Sequence, residues 1–423
     1  MKTQICESES LDAVPVGWKA AKLKYHAELN PKCKTQVTED SEVTFTPMEN
    51  IKNGYFIPGK EKYGMFAGNS QYAEYEEGDI AFAKVTPCFE NDNIAIMRDL
   101  VNGKGFGSSE LFVMRPLDIG IKYLFYLIQS PHFKANGVAS MTGTGGLKRV
   151  SSDAVRNYKF ALPGAKIQNL ISSYLDTKCA ELDKVVEQTR ATIEEYKKLK
   201  QAIITEAVTK GVRGPRSLKP SGVEWIGDIP EEWEVRKVSQ FWKANKGPNA
   251  AQLTAEYCGN HPGAYPVYSG QTENNGVMGM IDTYSFDFGA RGCLFSTTVG
   301  AKAMTVSCLY NKFSLSQNCM IMQPLSEKCD VRYYFYLFAF IFGYFRSLIP
   351  DYMQPSFRVK DFLSYCMLLP SVIEQQEIAT YLDAKCAEID RIIEKKEQLI
   401  EELGSYKKSL IYEYVTGKKE VTA

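Results

Sequence analysis

Catalysis needs particular side chains at particular spacings, and this chain offers few. The stretch Thr142-Gly143-Thr144-Gly145-Gly146-Leu147-Lys148-Arg149 is rich in glycine. It lacks the Gly-x4-Gly-Lys-Ser/Thr spacing whose backbone amides wrap a nucleotide phosphate. No long apolar strand precedes it, as a dinucleotide turn requires. A flexible loop ending in two cations can instead touch DNA phosphates. Glu195-Tyr196-Lys197 and Glu394-Lys395-Lys396 share the Glu-x-Lys ending of magnesium nucleases, but both lie inside helical patterns and read as surface charges. His26, His132 and His261 are far apart, and the eleven cysteines contain no Cys-x-x-Cys pair. Neither a zinc site nor a Cys/His nucleophile is therefore expected. The Pro-Pro-aromatic signature of amino-methylating enzymes is also missing, because no Pro-Pro pair occurs. The expected catalytic and metal-ligating residues are none.

What remains is recognition chemistry. Arg and Lys suit guanine edges and phosphates, and Asn and Gln suit adenine. In the first half the candidates for DNA contact are Lys84, Asn91, Lys148 and Arg149. In the second they are Arg291, Lys302, Gln317, Asn318, Gln354 and Arg358. Lys148-Arg149 and Arg358 stand at matching places before a Leu-Pro pair. The totals do not favour nucleic acid, because 50 Lys+Arg balance 50 Asp+Glu. A reader of DNA with no net charge must gather its cations on one face. The polar opening Met1–Ser10 is no secretory signal, so the thiols read as reduced and the location as cytoplasmic. The apolar run Tyr333–Phe345 lies between Arg332 and Arg346, is too short for a bilayer, and reads as a core helix.

The elements that must position these residues come twice. Val14-Pro15-Val16-Gly17-Trp18 recurs as Ile229-Pro230-Glu231-Glu232-Trp233, and Lys122–Leu127 recurs as Arg332–Leu337. From Leu162 to Gly211 against Leu369 to Lys418, about 21 of 50 positions are identical without a gap. One large unit is used twice, with its globular part diverged and its trailing segment kept alike. The trailing segments Ile167–Thr209 and Glu374–Thr416 lack Pro and are rich in helix formers. Their apolar residues suggest a coiled-coil seam: Leu175, Leu182, Val185, Tyr196, Leu199 and Ile203 in one. In the other it runs Leu382, Ile389, Ile392, Leu399, Leu403, Tyr406 and Leu410. A helix of about 43 residues is about 65 Å long and needs a partner for its apolar stripe. The other copy is the expected partner, with a homodimeric coiled coil as the alternative.

Before each helix, mixed α and β is expected. Strands are predicted at Asp79–Val85, Asn93–Met97, Leu111–Met114, Gly292–Ser296, Ala303–Val306 and Met320–Met322. Core helices are predicted at Ile121–Gln129 and Val331–Phe345. The fold class is thus α/β (α+β), with two globular domains alternating with two long antiparallel coiled-coil helices in a pseudo-twofold repeat. The predicted boundaries are 14–163 and 229–370 for the domains, 164–212 and 371–417 for the helices, and 213–228 for a Gly/Pro linker.

The Pro-x-x-Trp openings, the domain–helix repeat and the starts Gln168–Lys178 and Gln375–Lys385 (Gln-x-x-Ile-x-x-Tyr-Leu-Asp-x-Lys) resemble the DNA specificity subunit of type I restriction–modification systems. Gly78–Asn91 and Tyr265–Gly270 also look like stretches of its recognition domains. The resemblance implies that each domain is a target recognition domain reading half of a split site in double-stranded DNA. It implies that the helices space the halves and dock two methyltransferase subunits, with Tyr174, Leu175, Asp176, Tyr381, Leu382 and Asp383 as docking residues. Motor–nuclease subunits would join them. S-adenosylmethionine, ATP and Mg would then be used by the partners, with no cofactor bound by this chain, no catalysis of its own and no membrane. The competing readings are a coiled-coil scaffold without DNA readout and a self-sufficient DNA-modifying enzyme.

Overall fold

The computed structural model describes residues 3–4, 14–67, 71–143, 146–271, 274–300, 303–350 and 352–421. The chain folds as two compact units, 1–190 with 397–423, and 191–396. Each unit therefore combines one globular domain with half of each long helix.

In unit 1, β1 (Ala27–Leu29), β2 (Ile80–Ala83), β3 (Ile94–Ile96) and β4 (Leu111–Pro116) form an antiparallel sheet in the order β1-β4-β2-β3. Every residue of β2 is buried, which explains its continuous apolar sequence. The buried Asp79 before it is gripped by Arg115 of β4, with Nε and Nη2 donating at 2.8 and 2.7 Å. A second sheet of four strands runs in the order 59–62, 42–46, 104–107, 73–76, with one parallel pair. Helix α1 (Ile121–Gln129) buries Tyr123, Leu124 and Leu127 against the first sheet. Helix α2 (Ala165–Lys210) then sends Ile171, Leu175 and Cys179 into the same core.

Unit 2 repeats the plan. Strands β5 (Trp242–Asn245), β6 (Cys293–Thr297), β7 (Ser307–Leu309) and β8 (Cys319–Pro324) form a sheet ordered β5-β8-β6-β7. Its second sheet keeps the topology of its counterpart: 277–281, 262–268, 312–315, 286–287, again with one parallel pair. Helix α3 (Val331–Ser347) fills the core. Helix α4 (Val372–Val415) adds Ile378, Leu382 and Cys386. The run Tyr333–Phe345 is thus core, and no helix among the described residues is long and apolar enough to cross a membrane.

The expected strand at Ala303–Val306 does not form. Met304 sits at φ +66°, outside the extended region, and the strand begins at Ser307. Of the chain's Asn-Gly pairs, those at 102–103 and 275–276 take positive φ at both residues, as tight turns require, whereas at 53–54 only the glycine does.

Inside each unit the two helix halves run antiparallel. In unit 1, Tyr174 meets Tyr414 with ring centroids 4.6 Å apart, and Lys407 Nζ donates to both oxygens of Asp183 at 2.7 Å. In unit 2, Lys200 Nζ donates to Asp390 at 2.6 and 2.7 Å, and Lys396 lies over the Tyr196 ring. The predicted seam is right on one stripe and one residue off on the other. Val185, Leu199, Leu399 and Tyr406 are 41–55% exposed. The covered stripe instead runs through Leu182, Val186, Thr189, Ile193, Tyr196, Lys200, Ile203 and Ala207. A lysine sits where an apolar residue was expected, burying its stem and pairing its tip with the opposite helix.

Candidate nucleic-acid interface

Strand ends set this site. In unit 1, β2 is followed by Lys84, whose backbone N–H donates to the Glu110 carbonyl at 3.0 Å. Val150 N–H donates to the Lys84 carbonyl at 2.8 Å, and Thr86 N–H donates to the Lys148 carbonyl at 3.0 Å. Three segments, 84–92, 109–110 and 148–149, therefore meet at one end of the sheet. Lys84 lies half-buried with its ammonium 5.6 Å from the Phe112 ring centroid. Asn91 and Lys148 are exposed. The 86–92 turn beneath Asn91 is fastened by Lys134, which donates to the Phe89 carbonyl at 2.6 Å and pairs with Asp92 at 3.1 Å. Arg149 is exposed but engaged: its Nε donates to Glu110 Oε2 at 2.9 Å and its Nη2 donates to Oε1. Those donors hold the Glu110 carboxyl below the usual carboxylate range.

Unit 2 builds the same junction from different residues. β6 is followed by Thr298, whose N–H donates to the Asn318 carbonyl at 2.7 Å. Phe357 N–H donates to the Thr298 carbonyl at 2.7 Å, and Gly300 N–H donates to the Pro355 carbonyl at 3.3 Å. Segments 298–300, 317–318 and 354–358 converge, and Gln317, Asn318, Gln354 and Arg358 are all exposed there. Beside them stand Tyr352, 87% exposed, and Met353, 53% exposed. Where unit 1 places Glu110, unit 2 places Asn318, so the junction that holds Arg358 has no acid in that position. One junction is charge-compensated and the other is amide-rich.

One expected contact does not join these clusters. Arg291 precedes β6 at the opposite end of the strand, where its Nη2 donates to the Ser326 carbonyl at 3.0 Å. It lines a groove with Tyr310, Glu327, Arg332 and Gln376. Lys302 lies outside the described residues. Sequence reasoning also missed Glu110 and Tyr352. Aligning Ser109-Glu110 with Gln317-Asn318 carried the signal for Glu110, while a lone tyrosine in a loop carries none.

The expected docking residues need correction. Leu175 and Leu382 are fully buried in the cores of their own units and present no surface. Asp176 accepts from the Tyr126 hydroxyl at 2.8 Å and pairs with Lys122. Asp383 likewise accepts from Tyr336 at 2.8 Å and pairs with Arg332. Gln168 Oε1 accepts from Gly120 N–H at 2.7 Å, and Gln375 Oε1 from Asp330 N–H at 2.8 Å. The shared helix-start motif thus bolts each long helix to its own domain. Tyr174 is covered by Tyr414, whereas its counterpart Tyr381 remains 39% exposed. Among the described residues, no cluster of His, Cys, Asp and Glu could hold a metal ion. Burial pushes the thiols of Cys179 and Cys319 up to about 11, so both stay protonated and poorly nucleophilic.

Duplicated sheet domains bearing polar loops on a shared helix pair define a class, and comparison names it. Residues 230–402 match the family described as Type I restriction modification DNA specificity domain. The chain is 32% identical over 207 residues to the Escherichia coli EcoEI type I restriction enzyme specificity subunit, covering 48% of this chain. It spans 34% of that relative's length. It is 25% identical over 335 residues to the MjaVIII specificity subunit of Methanocaldococcus jannaschii, covering 71% of this chain and 70% of that one. The chain is thus similar to type I restriction–modification specificity subunits, with the DNA specificity domain matched over residues 230–402. Its fold resembles one solved in work on complex assembly and conformational transition of the type I system. The TM-score there is 0.75 at 14% identity, over 96% of this chain and 99% of that one. The HsdS subunit from Thermoanaerobacter tengcongensis gives 0.53 at 16% identity, over 96% and 98%.

Proposed function

We propose that this chain is the non-catalytic specificity subunit of a type I complex, reading an asymmetric two-part site in double-stranded DNA. The observation that carries this is the repeated junction of strand end, turn and basic loop, built on one topology with unlike side chains. Like topology supports one mode of docking on DNA. Unlike side chains support unlike half-sites, with Lys84, Asn91, Lys148 and Arg149 serving one and Gln317, Asn318, Gln354 and Arg358 the other. The similar helices set the gap between half-sites and give two methyltransferase subunits similar platforms. Motor–nuclease subunits join that core. S-adenosylmethionine, ATP and Mg act in the partners. The apolar residues left outside the helix pairing, Val185, Leu199, Leu399 and Tyr406, support protein docking there.

Methylome sequencing of cells carrying this chain with its neighbouring partner genes tests the reading. A two-part adenine-methylated motif that disappears when the chain is deleted is expected. An unchanged methylome on deletion refutes it. The scaffold reading predicts no salt-dependent duplex binding by the purified chain.

A further inference from the structure

The repeat shows what unit 2 lacks. In unit 1 the last turns of α4 lay the Tyr414 ring 4.6 Å from Tyr174, and Tyr414 is only 5% exposed. Along the gapless repeat, offset by 207 residues, Tyr414 corresponds to Ala207 and Tyr174 to Tyr381. The surrounding frame is kept. Tyr123 donates to the Val415 carbonyl in unit 1, and Tyr333 donates to the Val208 carbonyl in unit 2. Only the covering ring is missing. In its place unit 2 has an open groove of about 520 Å³, floored by Ala207 and walled by Ile203, Val212, Leu218 and Tyr381, with Glu206 and Lys210 at its edge.

We propose that this groove receives an aromatic side chain carried by the methyltransferase subunit that docks on unit 2. The occupant's chemistry is read from the other repeat, where the same frame holds a tyrosine against the equivalent tyrosine. Unit 1 fills its frame from its own chain, so the two docking platforms are inequivalent. One takes an aromatic anchor and the other does not. This rests on the reading that methyltransferase subunits dock on the helices.

The experiment uses the full chain and the purified methyltransferase subunit, with stoichiometry followed by native mass spectrometry and affinity by titration. Tyr381→Ala removes one wall at an exposed position. It should weaken one of the two bound copies by about 2- to 12-fold, the range of an aromatic pair, and leave the other unchanged. Ala207→Tyr should do the same by filling the groove from within, and Tyr381→Phe should bind as wild type. Duplex binding by the chain alone should be unaltered in Tyr381→Ala, showing an intact fold. Wild-type binding of both copies by Tyr381→Ala overturns the groove, as does equal weakening of both. Failure of the wild-type chain to capture the subunit at all is a different result, which overturns the docking reading and the occupant with it.

Discussion

Replacing Glu110 by Gln should turn a compensated junction into a cationic one. Glu110 occupies the Arg149 guanidinium through two charge-assisted hydrogen bonds at an exposed surface. The amide removes the opposing charge and frees the guanidinium for a phosphate. Each phosphate neutralised steepens log K against log salt by about 0.9 for duplex DNA. Between 50 and 200 mM salt, one added contact therefore costs roughly 3.5-fold more affinity than wild type loses. Fluorescence anisotropy of a labelled duplex across that range measures both slopes. The same logic fixes a pH dependence. Arg149 depresses the folded-state Glu110 pKa, so the pair's stabilisation is present above the ordinary carboxylate value. It is lost as pH falls through the lowered one. Wild type should acquire the steeper slope only under acid conditions, while Glu110→Gln has it at neutral pH. An identical slope for variant and wild type at neutral pH would refute the idea that Glu110 withholds the Arg149 guanidinium from phosphate.

Three further outcomes are expected. Arg358→Ala should flatten the salt slope by about 0.9, because no acid occupies the Glu110 position of its junction; an unchanged slope removes Arg358 from the interface. Leu382→Ala should lower the stability of unit 2 by about 2–5 kcal/mol, read by chemical denaturation, since the side chain is fully buried. Deleting about four residues, one turn, from both α2 and α4 should shorten the gap in the methylated motif and leave both half-sites intact; altered half-sites would end the spacer idea.

Much of the fold was legible because the strongest signals are local. Helix α1 spans the predicted Ile121–Gln129, and α3 extends the prediction by two residues to Ser347. The long helices were marked by their composition and by Leu-Pro at their starts. Less legible was which side of each helix faces inward. Lys200 and Lys407 sit on the packed stripe because aspartates wait across the pair, at Asp390 and Asp183. A hydrophobicity pattern cannot see that long-range match. The candidate site was harder still. Its residues come from three segments joined by backbone hydrogen bonds, as between Lys84, Glu110 and Val150. Residue type alone put Arg291 among them, and only the strand's direction sends it to the other end. The helix-start motif was recognisable, but its physical task, fastening a helix to its own domain, required the partners of Asp176 and Gln168.

The division into units has a consequence for synthesis on the ribosome. The core of unit 1 includes Leu410, Ile411, Tyr414 and Val415, whereas that of unit 2 is complete once residue 396 has emerged. The domain translated first is therefore the last to close. Until α4 is finished, Tyr123, Leu175 and their neighbours wait with one wall open. A nascent chain halted after α4's first half would hold a finished unit 2 beside an unsealed unit 1. Such a chain should be cut by protease within its N-terminal domain, the reverse of the order in which the message is read.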